Sequence, residues 1–142
     1  MRVLQRQPLG VSRERGLAIV EMAFILPIFL FVTFGLVEFS RAWLTVNTMN
    51  HATREAVRFA ATTAGLTADN YTVITKATTI LSNANIAGAT VTNSAPAGTP
   101  PEVTVRTTLP FSYLGVSGTL LGYTGFGAPI TLTSSATMLY ER

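Results

Sequence analysis

The sequence predicts an α+β protein. A long N-terminal helix crosses a membrane and continues beyond it, and a domain with a second helix and a small antiparallel sheet of about three strands follows. Three observations carry this reading. Residues 17–37 form an apolar run with a single charge. Apolar residues then recur at three- and four-residue steps as far as residue 60, the period of an amphipathic helix. Beyond residue 89 the period changes to two, the alternation of half-buried strands.

The 142 residues suffice for one small domain plus a membrane segment. Hydrophobic residues make up 48% and charged residues only 12%, about half the charge of an ordinary soluble domain. There is no cysteine, so disulfides and thiolate chemistry are excluded. The net charge of +3 invites a nucleic-acid reading, which the position of the charge dismisses. Residues 1–16 hold Arg2, Arg6, Arg13 and Arg15 against Glu14, a side-chain sum of +3. The remaining six basic and six acidic side chains cancel. A nucleic-acid surface needs its excess on the folded domain. A basic flank on one side of an apolar run is instead a topology signal that keeps that side in the cytoplasm.

The apolar run, LAIVEMAFILPIFLFVTFGLV from Leu17 to Val37, is 21 residues long. At 1.5 Å per residue it spans about 31 Å, close to the hydrocarbon thickness of a bilayer. Glu21 is its only charge, and a charge at the centre of a membrane helix costs about 2.5–3.5 kcal/mol, less near the end. Three readings are open. A cleaved secretory signal has an apolar core of about 7–15 residues and then small residues, whereas this run is longer and ends in Glu38-Phe39-Ser40-Arg41. A plain uncleaved anchor places Glu21 within reach of interfacial water. A type IV prepilin-like signal is cut between Gly16 and Leu17 on the cytoplasmic side. That cut creates an α-amino group on Leu17, which can pair with the Glu21 carboxylate of a neighbouring subunit and so marks assembly in register. Glycine before the cut suits an extended chain entering a protease, since it has no side chain to clash. Pro27, mid-span, cannot donate a backbone hydrogen bond and crowds the carbonyl of Ala23. It is either a tolerated kink or a weak point at which the helix bends on leaving the bilayer.

Past Val37 the helix is expected to continue. Glu38 and Arg41 can pair at three-residue spacing, and Trp43 suits the headgroup level. Val46, Met49, Thr53, Ala56 and Ala60 form an apolar stripe, with Arg54, Glu55 and Arg58 on the polar side and Gly65 as the stop. A helix from Leu17 to about Ala64 is roughly 70 Å long. Thr67-Ala68-Asp69 signals a second helix with Tyr71, Ile74, Thr78 and Leu81 on its buried face, ending at Asn85 or Gly88. Three strands follow: Ala89 to Asn93, Val103 to Leu109, and Ile130 to Tyr140. In the second, Val103, Val105, Thr107 and Leu109 face inward. In the third, Ile130, Leu132, Ala136, Met138 and Tyr140 share a face. Between them lies a segment rich in Gly, Leu, Phe and Tyr, from Pro110 to Pro129, unusually long for a loop without structure of its own. Either its large side chains fold back onto the sheet, or Phe111, Tyr113, Leu120, Leu121, Tyr123 and Phe126 form a contact surface for a neighbouring subunit. The expected organisation is thus a basic leader at 1–16, a membrane helix at 17–37, its continuation at 38–65 and an α+β domain at 66–142.

Nothing in the sequence supports an enzyme. His51 is the only histidine, and without cysteine it forms no zinc-ligand spacing. Asp69 is the only aspartate and is read as a helix cap. The glycines at 115, 118, 122, 125 and 127 match neither nucleotide-binding pattern, and no nucleophile motif is present. No cofactor or metal is expected. Asn70-Tyr71-Thr72 has the form of a glycosylation acceptor, a triplet that arises readily by chance.

Three stretches resemble the TadE-like family, the minor pilins or pseudopilins of bacterial Tad (tight adherence) pili. They are Gly16-Leu17-Ala18-Ile19-Val20-Glu21-Met22-Ala23 with Leu26-Pro27, then Gly35 to Arg41, then Ala52 to Ala61. The ending Ile130 to Met138 with Glu141 is similar to that family's closing strand. The chain departs from the pattern at Met22, where an aromatic often follows the glutamate. The resemblance implies a pilin-like periplasmic domain on a single-pass anchor in the bacterial inner membrane, with the N-terminus cytoplasmic. It implies processing by the prepilin peptidase, and partnership with other pilins or pseudopilins and the Tad assembly platform. The role implied is to assemble or prime an adhesive type IVc-like pilus built of a smaller major pilin, from the membrane or within the filament. The alternative is an unprocessed, signal-anchored periplasmic module that binds a small ligand or a cell-wall component.

Overall fold

The structure, a computed structural model, describes residues 11–113 and 129–141, with side chains from residue 16 onward. Leu114, Leu120, Leu121, Tyr123, Phe126 and the first ten residues of the leader lie outside the described residues. Helix α1 runs Val11–Ala61, and α2 runs Tyr71–Asn83. Strands β1 (Thr90–Asn93), β2 (Glu102–Phe111) and β3 (Ile130–Leu139) follow. The fold is α+β, as expected. The chain divides into two compact units, one ending at Val37 and the other beginning at Glu38.

In the second unit α1 changes from apolar all round to amphipathic. Met49, Ala52, Thr53, Ala56, Val57, Ala60 and Ala61 are buried, while His51, Arg54 and Arg58 stay exposed. The small residues Ala52, Ala56 and Ala60 repeat at four-residue steps, so the sheet can approach this face closely. The helix ends at Ala61, four residues short of Gly65. Its last carbonyls are satisfied from the other end of the chain: the Glu141 amide donates to Ala61 (3.2 Å), and the Tyr140 hydroxyl donates to the Thr63 carbonyl (2.8 Å). Gly65 then turns the chain with φ +65°, a conformation that disfavours any side chain.

The second helix starts later than its sequence signal. Asn70, not Asp69, is the N-cap, and its side chain accepts from the Thr72 amide at 3.0 Å. Asn70 is held in turn by Asn93, whose side-chain oxygen accepts from the Asn70 amide at 2.7 Å and whose Nδ2 donates to Thr67. The buried face is Val73, Ala77 and Leu81, one residue out of step with the expected Ile74 and Thr78. Ile74 and Thr78 are half-buried at its flank, and Tyr71 is 79% exposed rather than inward. Asn85, at φ +58°, closes the helix.

The sheet is an antiparallel meander in the order β1-β2-β3. Its register runs from Thr90↔Thr108 to Asn93↔Val105 on one side of β2, and from Phe111↔Ile130 to Glu102↔Leu139 on the other. All five inward residues of β2, Val103, Val105, Thr107, Leu109 and Phe111, are buried. β2 thus runs two residues beyond its clear alternation, through Pro110. Since β1 pairs only with residues 105–108, β2 is flanked on one side at Pro110, where a missing N–H is tolerated. β3 is less covered. Ser134 is buried and Leu132, Ala136 and Tyr140 half-buried, but Ile130 and Met138 remain more than two-fifths exposed. β3 is an outer strand, paired on one side only among the described residues.

One core joins α1, α2, β1 and β2. Each large apolar side chain in it contributes about 1.5–3 kcal/mol. At its centre is a polar contact. Thr53 and Thr107 are fully buried, their hydroxyl oxygens lie 2.8 Å apart, and Thr53 also donates to the Met49 carbonyl at 2.7 Å. Thr53→Val strands the Thr107 hydroxyl and is expected to cost about 1–3 kcal/mol, whereas Thr107→Val leaves Thr53 its bond to the Met49 carbonyl and should cost less. The double Thr53→Val/Thr107→Val change should cost clearly less than the sum. Thermal unfolding of the four proteins in detergent, followed by circular dichroism, measures the cycle, and strict additivity would contradict this reading.

Candidate functional site

The candidate site is the apolar half of α1. Every side chain from Gly16 to Val37 is exposed in the isolated chain, with Leu17, Phe24 and Phe31 each more than 70% accessible. A continuous apolar surface of this size is not stable in water and calls for lipid or partner helices around it. Among the described residues this is the one helix long and apolar enough to cross a membrane, consistent with a single-pass membrane protein.

Gly16, Leu17, Glu21 and Pro27 all lie on α1. The helix begins before the leader junction, so Gly16 is helical rather than a boundary between coil and helix. A Cβ at Gly16 would meet nothing within 4 Å, and the residue is not in the left-handed region. Neither packing nor backbone conformation therefore requires glycine here, although glycine inside a helix costs about 0.5–1 kcal/mol relative to alanine. Glu21 is exposed and shares a helix face with Leu17, Ala18, Phe24, Ile25 and Ile28, so its carboxylate sits in an otherwise apolar stripe. The helix continues through Pro27 without a break.

At the start of the second unit the expected Glu38–Arg41 pair is formed, with Arg41 Nη1 3.0 and 2.9 Å from the two carboxylate oxygens. Phe39 and Trp43 stack one turn apart at 6.1 Å between centroids, and both are exposed. The stack was not foreseen, although the four-residue spacing of two aromatics is a readable signal. Phe111 is not the exposed contact residue that the loop reading made it. It ends β2, is 6% exposed, stands edge-on to Tyr113 at 5.9 Å and lies beneath the Arg41 guanidinium at 5.5 Å. This arrangement fits the alternative in which the large side chains of that segment fold back onto the sheet. The remainder of the proposed contact surface falls on residues 114–128, outside the described residues.

These features define a class: an α+β protein with one N-terminal helix long and apolar enough to cross a membrane, carrying one carboxylate a turn beyond a glycine. Residues 16–58 match the family model described as TadE-like protein, which bears out the resemblance read from the sequence and suggests a protein associated with Tad pili. The match starts at Gly16 and covers the anchor and most of the amphipathic continuation. No curated protein and no solved structure matches the chain. The family is structural rather than catalytic.

Among the described residues no ion pair compensates the cost of Glu21 in lipid. Glu21→Leu is therefore expected to insert into membranes at least as efficiently as the unaltered chain. A membrane-insertion assay on the two sequences measures this, and poorer insertion of the variant would show that the carboxylate already serves the monomer.

Proposed function

We propose that this protein is a minor pilin or pseudopilin of a Tad pilus, cut between Gly16 and Leu17 and acting by subunit contact rather than catalysis. The observation that carries the reading is Gly16. It is a glycine without a packing or backbone need for one, at the first residue of the family match and one turn before the only charge of the anchor. A peptidase must draw this stretch out of the helix into an extended form, and glycine lowers the cost of that local unwinding.

The cut removes the whole basic excess and leaves a mature chain whose side-chain charges cancel. It also places an amine on Leu17. Four residues separate this amine from Glu21, a rise of about 6 Å along the helix. A neighbouring helix displaced by roughly one turn brings its amine level with this carboxylate. In a low-dielectric surrounding such a pair is worth far more than in water, so subunits that assemble out of register retain an unpaired charge. The domain after residue 38 then lies in the periplasm or is carried into the filament. The partners are the prepilin peptidase, other pilins and the assembly platform in the inner membrane.

Intact mass of the membrane-extracted protein tests the cut. A mature N-terminus at Leu17 is expected, and a chain beginning at Met1 in cells that contain the peptidase would refute the proposal in favour of an unprocessed anchored module. Glu21→Ala is expected to leave membrane insertion intact and to abolish incorporation or pilus priming. Wild-type piliation in that variant, counted by electron microscopy, removes the pairing role.

A further inference from the structure

Strand β3 is the outer strand of the sheet, and its far edge pairs with no strand among the described residues. Its ten residues, ITLTSSATML, include no proline, glycine or charge, and its register with β2 runs without a bulge. These are the devices by which proteins blunt an open edge against other chains, and this edge lacks them. Alongside it runs an open cleft of about 770 Å³. One wall is Ser135, Ala136, Thr137 and Met138. Four consecutive residues alternate between the two faces of a strand, so the cleft is lined by the backbone edge of β3 and not by one of its faces. The other wall is a stripe of α1 that includes His51, Arg54 and Arg58. At the floor, the Ser134 hydroxyl donates to Asn50 Oδ1 at 2.7 Å and ties the two walls together.

The charge in the cleft is unbalanced. Arg54 and Arg58, one turn apart and exposed, have no ion-pair partner among the described residues, where the ion pairs are Arg41–Glu38 and Lys76–Glu55. Glu55 also lines the cleft, but its carboxylate lies 3.9 Å from Lys76 of α2. Two like charges at four-residue spacing repel, and a carboxylate between them relieves that repulsion. The stripe from Asn47 to Arg58 is about 16 Å long, the length of roughly five residues of extended chain.

We propose that this cleft receives an extended strand of a partner protein that carries carboxylates. The strand adds to the edge of β3 as a fourth strand, with main-chain hydrogen bonds to β3 and side-chain carboxylates on Arg54 and Arg58. The β3 strand of a second copy does not satisfy the site, because Ile130–Leu139 contains no carboxylate. The proposal does not depend on cleavage after Gly16.

The test uses the full chain in detergent micelles and a seven-residue peptide alternating valine with glutamate. Saturable binding is expected, with slowed amide exchange within Ser135–Met138 measured by NMR. The Arg54→Gln/Arg58→Gln double change, at exposed positions, should weaken binding at least tenfold while leaving the rest of the spectrum in place. The same peptide N-methylated at alternate amides should not bind, which tests the edge without altering the protein. Absence of saturable binding, equal binding of the N-methylated peptide, or binding indifferent to the two arginines would overturn the proposal. So would a sulfated oligosaccharide that binds through the same arginines where the peptide does not, since the cleft would then be a polyanion site.

Discussion

The 51-residue helix α1 must be apolar on every side where it meets lipid and apolar on one stripe where it meets the sheet, and the rest of the structure depends on where that change occurs. The change falls at Glu38 and Arg41, which pair with each other and so bring charge to the interface at little cost. Before them no side chain is buried, and after them the buried stripe begins to build toward Met49. A uniformly apolar helix has no preferred rotation in lipid. A helix with one stripe has a single rotation that covers the sheet, and from Met49 onward that stripe organises the domain.

What the stripe covers explains the composition of the domain. Two helices and two strands of one sheet share one small core, so alanine and threonine are favoured over larger residues on α1, and the centre is closed by the Thr53–Thr107 contact rather than by carbon alone. The two buried hydroxyls satisfy one another, and among the described residues no buried side-chain polar atom lacks a partner. The chain end completes the arrangement: Tyr140 and Glu141 reach the last turn of α1 across almost eighty residues of sequence. The helix end and the end of the sheet are thereby tied together, and among the described residues the outer edge of β3 stays unpaired.

The functional half of the molecule works by what is left unsatisfied. Among the described residues Glu21 has no ion-pair partner, and the backbone places no demand for glycine at Gly16. The proposed function assigns both to events beyond the monomer, processing for the glycine and assembly for the carboxylate. The edge of β3 and the arginines beside it, which have no ion-pair partner among the described residues, follow the same logic in the second unit.

Much of this was determined by the sequence alone, because periodicity and charge position are local properties. The anchor, the stripe of Met49, Thr53, Ala56 and Ala60, and the inward set Val103, Val105, Thr107 and Leu109 were all legible from spacing. So was the Gly16–Glu21 junction, whose meaning rests on chemistry rather than on packing. Tertiary structure decided what spacing leaves degenerate. The sequence marks Asp69 as the cap, but the structure caps the helix with Asn70, which Asn93 holds, and Tyr71 faces outward and Val73 inward. An aromatic after a strand reads as loop until the register with Ile130 draws Phe111 into β2. The cleft beside β3 has no sequence signal at all, because its two walls lie some eighty residues apart and meet only when α1 packs on the sheet.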